Sequence, residues 1–139
     1  MLEYIEQKAN STQSFFLGIY DITNGVHIGN IKLEVIDWFR RRSGFGILIG
    51  RQEYLGKGYG TEATNLIVNF AFEELGLHEV HLEVIKENKR AIRSYEKSGF
   101  FTTEIKEKVV NHDGVLFDEV WMLRRRDSEK HTQVTKKHG

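Results

Sequence analysis

A glycine-rich run, Tyr54-Leu55-Gly56-Lys57-Gly58-Tyr59-Gly60-Thr61, follows an apolar segment and leads into a helical pattern. Glycine at alternate positions removes Cβ atoms from a tight turn, so successive backbone N–H groups can converge on one anion. At a helix start, where the dipole adds positive potential, such a turn suits a bound pyrophosphate. A second polar cluster, Asn88-Lys89-Arg90-Ala91-Ile92-Arg93-Ser94-Tyr95-Glu96-Lys97-Ser98-Gly99-Phe100, occupies the start and middle of another short helix. A site made of both clusters needs an element that brings them together.

The intervening pattern supplies it. Gly44 to Gly50 alternates glycine with Phe45, Ile47 and Ile49, which predicts a strand buried in the middle of a sheet. Thr61 to Leu75 has helical periodicity with Ala63, Leu66, Ile67, Phe70 and Ala71 on one broad face, closed by Gly76. His78 to Ile85 reads as a strand. This strand, helix, strand order implies a right-handed crossover and a parallel pair, with the glycine turn at the carboxyl end of the first strand. Asn88 caps the next helix and Gly99 ends it.

Upstream, residues 2–9 read as a short helix and 10–14 as a loop. Phe15 to Ile22 and Val26 to Ile36 read as strands joined by the turn Thr23-Asn24-Gly25. Asp37 to Arg42 is a polar and aromatic connection. Downstream, Phe100 to Val110 and Val115 to Leu123 form a hairpin around Asn111-His112-Asp113-Gly114.

With 139 residues, 40% of them hydrophobic, the chain suits one domain with a real core. Lysine plus arginine and aspartate plus glutamate number 20 each, so no net field draws it to nucleic acid or to a membrane. The domain is read as residues 1–123, followed by a basic tail, 124–139. That tail has six basic and two acidic residues, hence +4, which leaves −4 on the domain. The chain has no cysteine, which excludes disulfides and thiol nucleophiles. Its six histidines have no recognised ligand spacing, so no metal is expected. No apolar run approaches the roughly 20 residues that span a bilayer, and no signal peptide is evident; a cytoplasmic location is expected.

The glycine run is not a Walker turn, since Lys57 lies between glycines and no Lys-Ser/Thr pair follows Gly60. It also departs from the G-x-G-x-x-G dinucleotide spacing. Taken with Ile47-Leu48-Ile49-Gly50, Ala71-Phe72-Glu73-Glu74-Leu75-Gly76-Leu77 and the pattern N-x-x-A-x-x-x-Y-x-x-x-G-F over 88–100, it resembles the GNAT superfamily of acyl-CoA-dependent N-acetyltransferases, in particular the RimJ/RimL-like branch. The resemblance spans most of the chain. It implies an α/β (α+β) fold: a mixed, mostly antiparallel twisted sheet with a central splayed parallel pair and helices on both faces.

The same resemblance implies acetyl transfer from acetyl-CoA directly to a primary amine: a protein amino terminus, polyamine, aminoglycoside or amino sugar. Leu55, Gly56, Lys57, Gly58, Tyr59, Gly60 and Thr61 then hold the pyrophosphate, and pantetheine lies along Ile47, Leu48 and Ile49. Asn88 hydrogen-bonds pantetheine, Lys97 joins Lys57 near the phosphates, and Lys89, Arg90 and Arg93 are left as solvated charges. Tyr95 is the general acid, since a phenol with a pKa of about 10 is a proton donor at neutral pH. The alternative is a non-catalytic acyl-CoA-binding or regulatory module.

The chain departs from the family pattern at Glu53, where glutamine or arginine is usual, at Leu55, and at Gly44, where many relatives carry glutamate. The base is therefore unassigned among Glu34, Asp37, His81 and Glu83. Trp38-Phe39-Arg40-Arg41-Arg42 is a candidate border of the acceptor pocket. The resemblance implies a further strand and helix before the segment matching residues 1–22, and these are expected to be missing or shortened, through truncation or because a symmetric partner or the carboxyl-terminal tail completes the fold; Phe15 to Ile22 would then be an apolar edge, and a homodimer is expected.

Overall fold

Ile31-Lys32-Leu33-Glu34 alternates apolar and charged residues. In the computed structural model, which describes residues 2–7, 14–110 and 113–126, this segment lies within a seven-stranded sheet. The strands are β1 (Leu2–Gln7), β2 (Phe15–Tyr20), β3 (His27–Asp37), β4 (Arg42–Ile49), β5 (Glu79–Ile85), β6 (Phe101–Val110) and β7 (Leu116–Arg125). Their order across the sheet is β1-β2-β3-β4-β5-β7-β6. Every neighbouring pair is antiparallel except β4 and β5. The crossover between those two carries helix α1 (Tyr59–Glu73), and α2 (Lys89–Lys97) follows β5.

Alternation decides which face is covered. Leu33 pairs with Phe45 and Ile31 with Ile47, so these four side chains point to one face, where Ala63, Ile67, Val68, Ala71 and Phe72 of α1 complete the core. Tyr95 of α2 packs edge-on against Phe45 on the same face, with ring centroids 6.1 Å apart. Both described helices therefore lie on one face, in place of the expected helices on both. Lys32, Glu34, Gly44, Gly46 and Leu48 point to the other face, where Leu48 is 67% exposed. A bulge at Val35, with φ 52°, resets the alternation and returns Ile36 to the core.

The segment read as a helix over residues 2–9 is a strand over Leu2–Gln7, antiparallel to β2. Six residues are too few for periodicity to separate the two conformations, and sheet pairing settles the choice. Phe15–Tyr20 is consequently an inner strand, so the apolar-edge argument for a homodimer no longer holds. β7 continues through Arg124 and Arg125, which the sequence reading assigns to the tail, and the Arg126 guanidinium donates to the Phe72 carbonyl at 2.7 Å. Asn111 and His112 of the last turn, and the tail from 127 onward, lie outside the described residues.

Gly29 faces Ile49 across the β3–β4 ladder, and a Cβ there would run into the Leu48 carbonyl oxygen. Gly60, within α1, has open space around its Cβ position. In urea denaturation, Gly29→Ala is expected to lose about 1–3 kcal/mol. Gly60→Ala should leave stability unchanged or raise it by up to about 1 kcal/mol, the helix-propensity difference.

Candidate active site

The parallel pairing of β4 and β5 is short. Arg42, Ser43 and Gly44 pair with Glu79, Val80 and His81, and beyond that point the strands have no ladder between them. They part toward their carboxyl ends, one leading to the glycine turn and the other to Asn88. The β5-facing backbone groups of β4 beyond Gly44 thus lack a strand partner, although backbone N–H and C=O groups require one. An extended ligand with amides of its own can fill that role.

At the open end, Gly56 and Gly58 have φ of 73° and 89°, a left-handed backbone that glycine adopts without a Cβ penalty. Gly58 is the N-cap of α1 and no side chain caps this end, so first-turn N–H groups remain available to an anion. Upstream, a short 3-10 turn over Gln52–Tyr54 is tied down by Tyr54, whose hydroxyl donates to Asp21 Oδ2 at 2.8 Å and accepts from Asn24 Nδ2 at 3.2 Å. The Tyr54 ring also packs edge-on against Tyr59, with centroids 5.0 Å apart. Hydrogen bonds from Thr23 hold the Asp21 carboxyl below the usual carboxylate range, with Tyr54 adding to the effect.

The two helices meet where Thr61 Oγ1 and Ser94 Oγ share a hydrogen bond of 2.8 Å. Around this contact a groove of about 560 Å³ runs along Ile47, Leu48 and Ile49, past Leu55, Gly56, Gly58, Gly60 and Thr61, to Asn88, Tyr95 and Lys97. Lys57 and Tyr59 do not line it. Arg90 and Arg93 do, although their positions on a short charged helix read as solvated; only the packing of α2 beside α1 reveals their direction. Asn88 Oδ1 accepts the Ala91 N–H at 3.2 Å, which leaves its amide NH₂ for other partners.

Tyr95 reaches the apex of the wedge from the helical face, between Phe45 and Phe100. Its hydroxyl has no hydrogen-bond partner among the described residues, and burial pushes its pKa above the ordinary phenol value. Across the sheet, on the open face, a Cβ at Gly44 would lie 3.6 Å from His81 Cε1 and 3.8 Å from Glu34 Cγ. Two other candidate bases are already engaged: Asp37 Oδ1 accepts the N–H groups of Phe39 and Arg40, and Glu34 pairs with Lys32 at 3.1 Å. The turn of residues 38–41 lies at the opposite end of β4 from the glycine run. Arg40 and Arg42 there line a separate cavity of about 340 Å³ with His78, Glu79 and Arg125.

Comparison with known proteins bears on this geometry. A spermidine N(1)-acetyltransferase of Escherichia coli is 40% identical over 77 residues, which cover 55% of this chain and 41% of that enzyme. The chain therefore spans less than half the length of that relative. A probable N-acetyltransferase of Bacillus subtilis, YjcK, is 29% identical over 127 residues, covering 90% of this chain and 70% of the relative. The crystal structure of spermidine N-acetyltransferase from Vibrio cholerae in complex with CoA and spermine superposes with a TM-score of 0.76 at 26% identity, covering 84% of this chain and 68% of that one. Residues 1–101 match the family described as Acetyltransferase (GNAT) domain, and with the parted parallel strands and the glycine turn in place, the chain belongs to the GNAT acetyltransferase family.

Proposed function

We propose that the protein transfers the acetyl group of acetyl-CoA directly to a primary amine, and that the amine is a polyamine. The observation that carries the reading is the single groove that joins an uncapped glycine turn to the unpartnered hydroxyl of Tyr95. Bound acetyl-CoA supplies an activated thioester; the chain's own groups bind, orient and move protons. Backbone N–H groups from Gly56 to Thr61 hold the pyrophosphate, assisted by Lys97, Arg90 and Arg93, while β4 from Ile47 to Ile49 and the Asn88 amide hold pantetheine. Tyr95, neutral and raised in pKa by burial, delivers its proton to the departing sulfur.

The acceptor class follows from the spermidine acetyltransferases among the relatives, and the carboxylates Glu34 and Glu83 on the open face are compatible with a polycation. The pattern over residues 88–100 supports the RimJ/RimL-like branch within the family. A related Vibrio cholerae enzyme is described as dodecameric, at a TM-score of 0.78 and 25% identity. We extend the proposal to self-association, for which a monomeric mass by light scattering at micromolar concentration would count against the idea.

Tyr95→Phe should lower kcat by about 10²–10⁴-fold while leaving acetyl-CoA affinity by calorimetry nearly unchanged. Equal turnover would remove Tyr95 as the acid, and acetyl-CoA binding without any thiol release across amine acceptors would favour a non-catalytic binding module. In a spectrophotometric titration of the free protein, Tyr95→Phe should remove one phenolate that appears above the ordinary tyrosine range. Gly60→Ala, neutral for folding, projects a methyl group into the groove and should weaken acetyl-CoA binding in calorimetry by about tenfold, equivalent to about 1.4 kcal/mol.

A further inference from the structure

We propose that His81 takes the proton shed by the acceptor nitrogen, with Glu83 positioning its ring, in place of a carboxylate that Gly44 cannot supply. The inference rests on the acetyl-transfer reading above and adds the missing base to it. His81 is the last β5 residue in register with β4, so it stands at the point where the two strands part. It points to the open face, whereas Tyr95 approaches the same apex from the helical face. Glycine at 44 leaves the space beside the imidazole clear: a Cβ there would lie 3.6 Å from its Cε1.

The Glu83 carboxylate lies on the Nδ1 side of the ring. Nδ1 faces Glu83 Oε2 at 3.8 Å, and Nε2 has no partner among the described residues. The side chain is 30% exposed, accessible to an amine yet partly withdrawn from water. Glu34 and Asp37 are held by Lys32 and by turn amides, and Glu83 lies beyond the last β4–β5 pair with one oxygen toward His81 Nδ1, so His81 is the candidate that stands at the parting point itself, beside Gly44.

The charges around it set its protonation. Burial lowers the imidazole pKa below the usual histidine value, Arg42 of β4 acts in the same direction, and Glu83 and Glu79 on its own strand oppose them. Glu34 of β3 faces it across Gly44, and Arg125 of β7 pairs with Glu79 at 3.3 Å. The result is a neutral ring at pH 7 that can accept a proton. The acceptor ammonium first gives one proton to solvent; as the free amine nitrogen bonds the acetyl carbon it becomes strongly acidic and gives a second proton to Nε2, while the carbon–sulfur bond breaks and the thiolate takes the Tyr95 proton. His81 then releases its proton to water, and Tyr95 regains one from water, which closes the balance.

The test compares wild type with His81→Ala and His81→Gln, using acetyl-CoA and spermidine. Both variants should bind acetyl-CoA as wild type does and lose about 10²-fold in kcat at neutral pH. The acidic limb of kcat, which in wild type falls as His81 becomes charged, should be absent from both. Added imidazole should restore part of the His81→Ala rate, an effect that a merely structural role would not produce. In the free protein, histidine NMR titration should show one imidazole, missing from both variants, below the ordinary range. Unchanged kcat and pH profile in either variant, or a His81 that titrates at or above the ordinary value, would overturn the assignment. A wild-type protein that binds acetyl-CoA but acetylates no amine would instead overturn the underlying reading, and His81 with it.

Discussion

The constraint on which this molecule depends is the short contact between two parallel strands. Parallel strands need a crossover, and here α1 provides it, buried against the sheet by Ile67, Val68, Ala71 and Phe72. Only three residue pairs hold β4 to β5, while β4 is laddered along its length to β3 and β5 to β7. Each half of the sheet is therefore stiff, and the seam between them is open. The wedge costs unpaired backbone groups in the protein alone and offers them to an elongated amide-bearing ligand.

The seam also separates two environments that face each other across one backbone thickness. On the helical side, Tyr95 is enclosed by Phe45 and Phe100, and desolvation raises its pKa. On the other side, His81 stands among ionisable side chains and is 30% open to water. The proposed acid and the proposed base thus stand on opposite faces of the sheet. Opposed environments of this kind are how a fold assigns acid and base roles to separate groups at one pH.

Much of this was readable from the residues, because the informative features are local. The alternation of Gly44 to Gly50, the periodicity of residues 61–75 and the cap at Asn88 each depend on near neighbours, and the parallel pair follows from chain order. The features that were not readable depend on distant partners. Leu2–Gln7 takes its conformation from β2 rather than from its own pattern. Arg90 and Arg93 are directed by the contact of α2 with α1. His81 could be named as one of four candidates, but the parallel register that puts it beside Gly44 is a tertiary fact.

The hydrogen bond from Tyr54 to Asp21 joins residues 33 positions apart, which makes the loop before the glycine turn an outcome of long-range assembly. Closing so large a loop is entropically unfavourable until the β3–β4 ladder, which sets Gly29 beside Ile49, brings its ends together. The contacts run in series: Asp21 and Asn24 on the β2–β3 turn hold Tyr54, and Tyr54 packs against Tyr59 at the head of α1. The placement of the glycine turn is therefore only as sound as a turn some 30 residues upstream.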